Sequence, residues 1–357
     1  MKLDLSGQNL TTINNDLTGV TSLRCGFNRL TSLPPLPDGL KLLDCNHNNL
    51  LTLPELPSSL KVLYCHTNQL TSLPSLPNNL MVLNCCYNDL DHLPELPNSL
   101  TGLHCVSCNL TKIPILPDGL EVLSYSHNLC GLPKLPETLK QLICFSCNLN
   151  RLPILPNKLK VLICSQNNLE CLPELPDGLF SLKCCACNLT RLPILPDSLK
   201  ILDCRINKLV NINLSKSLQY LYCHHNLIED LVLPDTLVFL DCAHNRLTQI
   251  ILPPNLETIY YIDNPLLRHP ELPEGLKYVS TSFMFFYFPI PELPWSLKSY
   301  PMKKLEQHNE KRKALNMKII KKVPKKMKWD NINEQYLQLQ YKIGGEKYNE
   351  AIGKFSF

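Results

Sequence analysis

One pattern recurs every 19 or 20 residues along most of this chain: Leu-Pro-x-Leu-Pro-x-x-Leu-x-x-Leu-x-Cys-x-x-Asn-x-Leu. Residues Leu53 to Leu70 form the type unit. A unit of this size cannot bury its apolar side alone. Stacked units bury a continuous core, so the period specifies a solenoid. The position two after the last strand leucine marks the register. It is held by Cys25, Cys45, Cys65, Cys85, Cys105, Tyr125, Cys144, Cys164, Cys184, Cys204, Cys223, Cys242 and Tyr261, with Leu5 in a first unit. That makes 14 units. Two worn ones follow, marked by Leu272-Pro273 and Leu293-Pro294.

Each Leu-x-Cys piece reads as a short strand centred on Leu43–Cys45, Leu63–Cys65 and their equivalents. Its Leu and Cys share one face because side chains alternate along a strand. Neighbouring units pair these strands in parallel, giving a concave sheet. The Asn three residues after the Cys turns inward, where its amide satisfies the bending backbone. The Pro-x-Leu-Pro half excludes helix, since its prolines remove donors and push their neighbours towards extended backbone. A polyproline-like convex side is expected. Pro37-Asp38-Gly39 and its equivalents are turns into the next strand.

These residues resemble the short leucine-rich repeats of bacterial secreted effectors of the YopM and IpaH type. The shared part is the Leu-Pro-x-Leu-Pro-x-x-Leu half and the Asn-x-Leu close, over roughly residues 1–297. Cysteine stands where those effectors carry valine or another aliphatic residue. With the Asn- and Lys-rich background, this is also similar to leucine-rich-repeat proteins of large DNA viruses. The resemblance implies a non-enzymatic module that binds a host protein in the host cytoplasm. IpaH-type relatives carry a ubiquitin-ligase domain with a nucleophilic Cys after the repeats. Here the last Cys is Cys242, inside the repeats.

The boundaries expected are a solenoid over 1–264, degenerate repeats with an aromatic cap (Phe283–Phe288) over 265–300, and a basic helical tail over 301–357. No apolar signal core and no run of 18 apolar residues is present, which argues for an unsecreted, soluble chain. From Lys298 onward there are 15 Lys and Arg against 6 Asp and Glu, leaving 20 against 25 before it. Mildly acidic repeats argue against a nucleic-acid-binding face. Two readings of the tail stay open. Met302–Ile320 caps the last repeat, or Lys321–Lys328 is a nuclear address.

Eighteen cysteines suggest zinc or disulfides, yet the repeat disperses them. Cys-x-x-Cys pairs recur only in alternate units, about 10 Å apart, too far to share a tetrahedral ion. Eleven occupy the strand column. Cys108, Cys147 and Cys187 replace the inward Asn. Cys86, Cys171 and Cys185 are expected in solvent and first to react. No cofactor is implied. One outward column, His225, His244 and Asp263 with His224 beside it, carries metal-ligating types. Its straightness opposes convergence, so a metal-dependent or enzymatic use of His224–Asp263 is the rival reading.

The residues between Leu and Cys, and the two after Cys, vary while the buried frame repeats. Aromatic and His residues among them suit protein recognition. The richest patch is Tyr220, Tyr222, His224, Phe239, Asp241, His244 and Tyr260. A second is Tyr64, His66, Tyr87 and His104. A monomer is expected, with self-association through the first strand, Lys2 to Leu5, as the alternative.

Overall fold

The computed structural model describes residues 1–128, 131–268 and 270–280. Fifteen three-residue strands, from β1 (Lys2–Asp4) to β15 (Tyr278–Ser280), form one sheet in which each pairs in parallel with its sequence neighbours. The registers are uniform: Leu63 sits opposite Leu43 and Leu83, Leu202 opposite Leu182 and Leu221. The first worn unit is therefore a full member of the stack, supplying β15 beside β14 (Thr258–Tyr260). The second worn unit, the aromatic run and the tail lie outside the described residues. No helix occurs among the described residues, and none long and apolar enough to cross a membrane.

The strands lie one residue earlier than expected. β4 is Val62–Tyr64, centred on Leu63, and Cys65 follows it. The ladder nevertheless continues, since the Cys65 amide donates to the Asn84 carbonyl at 2.9 Å. The outward face thus has two columns, the residue before the central Leu and the one after it. Most units give the core the same four side chains, as with Leu60, Leu63, Cys65 and Leu70, all fully buried. Burying one such leucine contributes roughly 1.5–3 kcal/mol. The Pro-x-x-Leu turns close as expected: the Leu60 amide donates to the Pro57 carbonyl at 3.0 Å.

The inward Asn joins two units. Asn48 Nδ2 donates to the carbonyls of Cys25, Cys45 and Asn46, and its Oδ1 accepts the Leu30 amide. In three alternate units a thiol takes over the donor half. Cys108 Sγ donates to the Cys85 carbonyl at 3.1 Å, and Cys187 Sγ to that of Cys164 at 3.2 Å. There the next residue is always Asn, and Asn109, Asn148 and Asn188 all adopt positive φ. Their counterparts in Asn-type units, such as Asn49 and Asn168, do not. The chain thus alternates two kinds of unit between Cys108 and Cys187.

Two expectations for the thiols change. Cys86 and Cys185 are buried, not solvent-facing. The residue after the strand Cys packs between successive loops: Cys86 Sγ accepts the Val106 amide, and Ser165 Oγ accepts the Cys185 amide. Burial pushes the Cys86 thiol up to about 11 and that of Cys25 to about 12. Burial also holds Cys45 and Cys204 well above the ordinary range. Among the described cysteines, all free thiols, Cys171 alone is exposed. Cys171 should therefore label with a maleimide first in the native protein, with Cys86 and Cys185 protected until denaturant is added. Labelling of Cys185 at the rate of Cys171, read by peptide mass spectrometry, would contradict this packing.

A second backbone regularity accompanies the loops. The residue two after the strand Cys takes a left-handed conformation in every unit from Phe27 to Asp263, with φ between 48° and 56°. The set includes Thr67 and Ile206, β-branched residues for which this conformation is unfavourable. Pairing with the next unit imposes it, as when the Ile206 amide donates to the His224 carbonyl at 2.9 Å. Ile206→Asn should relieve this strain and raise stability by about 1 kcal/mol. An unchanged or lower denaturation midpoint would count against it.

Candidate functional site

The sheet face gathers most of the larger patch into one structure. β12 (Tyr220–Tyr222), β13 (Phe239–Asp241) and β14 present both outward columns side by side. The rings connect diagonally. Tyr222 meets Phe239 at 4.6 Å between centroids, Phe239 meets Tyr260 at 5.9 Å, and Tyr260 meets Tyr278 at 5.3 Å. The zigzag arises because Asp241 and Thr258 occupy the intervening places. Tyr278 was not among the expected residues. Its unit lacks the strand Cys, so the repeat frame concealed that its Tyr continues the row. Tyr220 is exposed at the side of this row.

A charged group adjoins the rings. Lys183 of β10 (Ser181–Lys183) sits opposite Asp203 of β11 (Ile201–Asp203), and Asp203 opposite Tyr222. Arg205 Nη2 lies 3.1 Å from Asp203 Oδ2, and its Cζ stands 6.0 Å from the Tyr222 ring centroid. Asp203 stands between the strand Leu and Cys, in the outward column, yet it is buried beneath these neighbours. That burial raises its carboxyl above the usual range against the pull of Arg205, and burial likewise lowers Lys183 and raises Tyr222. Lys183 and Arg205 become part of the patch only through cross-strand register, a relation not visible along the chain.

On the loop side, the Nδ1 atoms of His224 and His225 lie 2.8 Å apart, and the His225 ring lies tilted against His244 at 4.1 Å between centroids. His244 Nδ1 contacts Asp263 Oδ2 at 3.1 Å. His224 Nε2 is 3.9 Å from Asp241 Oδ2. Among the described residues, no three His, Cys, Asp or Glu side chains converge in a way that could hold a metal. Burial first, then Arg205, lowers His224 to about 3, and burial with His244 lowers His225 to about 4. Both are neutral near pH 7, which allows one Nδ1 to donate to the other.

A pH dependence follows. The unfolded chain protonates His224 below about pH 6.5, whereas the folded chain resists down to about pH 3. The unfolded state binds more protons in that window, so stability rises with pH and is lost as pH falls. From pH 7 to pH 5 the loss from His224 should be about 2 kcal/mol. His225 is more exposed, and solvent screens its share. His224→Gln should flatten the dependence of the thermal midpoint over this range. A slope identical to the parent's would refute the assignment.

The smaller patch does not assemble. Tyr64, His66 and His104 are half-buried and Tyr87 is exposed. Among the described residues no ring contact links Tyr64, Tyr87 and His104. His104 instead bonds Ser124 at 3.0 Å through Nδ1. His66 joins a different row, with His47 at 5.2 Å and Phe27 stacked on His47 at 4.3 Å.

Parallel three-residue strands, leucine and cysteine columns, and inward Asn bridges together define a leucine-rich-repeat solenoid bearing a variable sheet face. The chain belongs to the leucine-rich-repeat proteins, and its short units are those of the YopM kind. It is similar to YopM from Yersinia pestis, a leucine-rich effector protein, at 32% identity over 83% of this chain and 86% of that one, with a TM-score of 0.75. YopM from Yersinia enterocolitica WA-314 is also 32% identical, over 79% of this chain and 73% of that one, with a TM-score of 0.57. The functional domain of InlJ from Listeria monocytogenes, which includes a cysteine ladder, is 27% identical over 74% and 64%, with a TM-score of 0.63. The chain matches no family model and no curated protein sequence.

Proposed function

We propose that this protein is a non-enzymatic, monomeric scaffold that binds a partner protein through its sheet face, in the cytoplasm of a host cell. The contiguous ring row Tyr222–Phe239–Tyr260–Tyr278 carries the reading. Rings held by cross-strand contacts on a rigid sheet lose little entropy on docking. Aromatic and Arg residues at the centre of a patch are the usual anchors of protein interfaces. Lys183, Asp203 and Arg205 border the row and set the charge a partner must match. The effector description of the Yersinia pestis YopM supports a host partner.

The test begins with photo-crosslinking from position 220 in the native cell, with the adduct identified by mass spectrometry. Binding of the purified partner is then compared between sheet-face and Leu-Pro-arm substitutions. Loss of binding on changing Glu55 or Glu95, with sheet-face variants binding normally, would move the site off the sheet.

A further inference from the structure

The Leu-Pro arm carries a second feature, independent of the sheet-face reading. The residue between Pro and Leu in Pro-x-Leu-Pro does not serve the core. It is Glu55, Glu95 and Glu174 in three units, all exposed. Yet Ile115, Ile154 and Ile194 occupy it in alternate units and are 90%, 89% and 91% exposed. Val232 extends the alternation by one step, and Ile251, exposed at the same place in the next unit, ends it. Each isoleucine opens the unit that follows a thiol unit, seven residues after Cys108, Cys147 or Cys187, so a two-unit period runs through both core and surface. A position that accepts glutamate has no folding need of isoleucine. Exposed Lys134 and Glu174 stand between the isoleucines, so the arm carries a spaced apolar seam whose regular recurrence, not its area, is the signal.

Charge flanks the row on both sides. Three residues before each isoleucine stands a base, Lys112, Arg151 or Arg191, all exposed. Three residues after the first and last stand Asp118 and Asp197, also exposed, with Asp177 between them. In extended backbone, three residues span about 10 Å. An α-helix is 10–12 Å across. Two strand spacings make about 9.6 Å, and seven helical residues rise 10.5 Å. A helix laid along the arm therefore repeats its face in near step with the isoleucines.

We propose that this arm is a docking surface for an α-helix that carries an apolar residue at every seventh position, acidic residues along one flank and basic residues along the other. The isoleucines fit between its apolar residues, Lys112, Arg151 and Arg191 face its acidic flank, and Asp118 and Asp197 face its basic flank. This is helix recognition by an apolar seam with charged margins.

The probe is a synthetic three-heptad helix with Leu at every seventh position, Glu on one flank and Lys on the other, titrated with the full chain by fluorescence anisotropy. The triple variant I115S/I154S/I194S should weaken binding at least tenfold and leave the thermal midpoint unchanged, because these side chains support no core. Ile154→Ser alone should weaken it severalfold, which keeps the test valid if the triple variant folds poorly. A peptide with Lys on both flanks should bind less well. Equal binding by the triple variant, or no binding of the probe by the parent, overturns the proposal. So does self-association of the parent, in sedimentation, that the triple variant abolishes, which makes a second copy the occupant. Phosphatidylserine vesicles bound by the parent and not by the triple variant would equally replace the helix with a membrane.

Discussion

Asn167→Ala should destabilise the protein by about 3–5 kcal/mol, because one side chain holds five backbone groups of two units. Asn167 Nδ2 donates to the carbonyls of Cys144, Cys164 and Ser165, and Oδ1 accepts the amides of Cys147 and Leu149. The Cys164 carbonyl keeps a second donor in Cys187 Sγ, so the burden falls on the others. Each buried group left without its partner costs roughly 1–3 kcal/mol. Asn167→Cys should cost about half as much, since hydrogen bonds of this kind contribute about 1 kcal/mol each and the thiol retains the donor half. It also creates the Cys-Asn-Leu sequence already used at Cys108, Cys147 and Cys187. Denaturant unfolding distinguishes the two. Units contact only their neighbours, so the Ala variant should also split one transition into two. Equal effects of Ala and Cys would show that the three thiol units are not equivalents of the Asn units.

The double variant Tyr222→Ala, Tyr260→Ala should weaken a sheet-face partner by about 3–5 kcal/mol, a loss of two to four orders of magnitude in affinity. Both rings touch Phe239, so removing them isolates it from the row. Neither ring belongs to the buried core, so the thermal midpoint should shift little. The two losses should not add, because the rings act through a shared neighbour. Titration calorimetry of each single and the double variant measures that coupling. Full affinity in the double variant would remove the ring row from the interface.

Much of the fold is legible along the chain because each structural demand recurs. Cys65 and Asn68 are read correctly because ten other strand cysteines and nine other inward asparagines repeat the same pattern. Strand centres shift by one residue because hydropathy reports the buried face, whereas pairing also recruits the outward residue before Leu63. Cys185 is misread because its shelter comes from the adjoining loop and not from its own unit. The candidate site is less legible. Tyr222, Phe239 and Tyr260 stand out as exposed aromatics, but Tyr278 lies in a worn unit. Asp203 and Arg205 gain meaning only when register sets Asp203 between Lys183 and Tyr222. Tyr64, Tyr87 and His104 show the converse, since attractive composition in neighbouring units does not bring side chains into contact.

The two-unit alternation limits how such a chain can change length. Gain or loss of one 20-residue segment by unequal recombination would leave an unbroken sheet, since every unit offers its neighbours the same register. It would also set an Asn-type unit beside another of its kind, or a thiol unit beside a thiol unit, and put the Ile115, Ile154 and Ile194 row out of step. Gain or loss of 40 residues preserves both. The heritable module in the middle of this protein is the pair, and its reach can grow only in steps of about 10 Å.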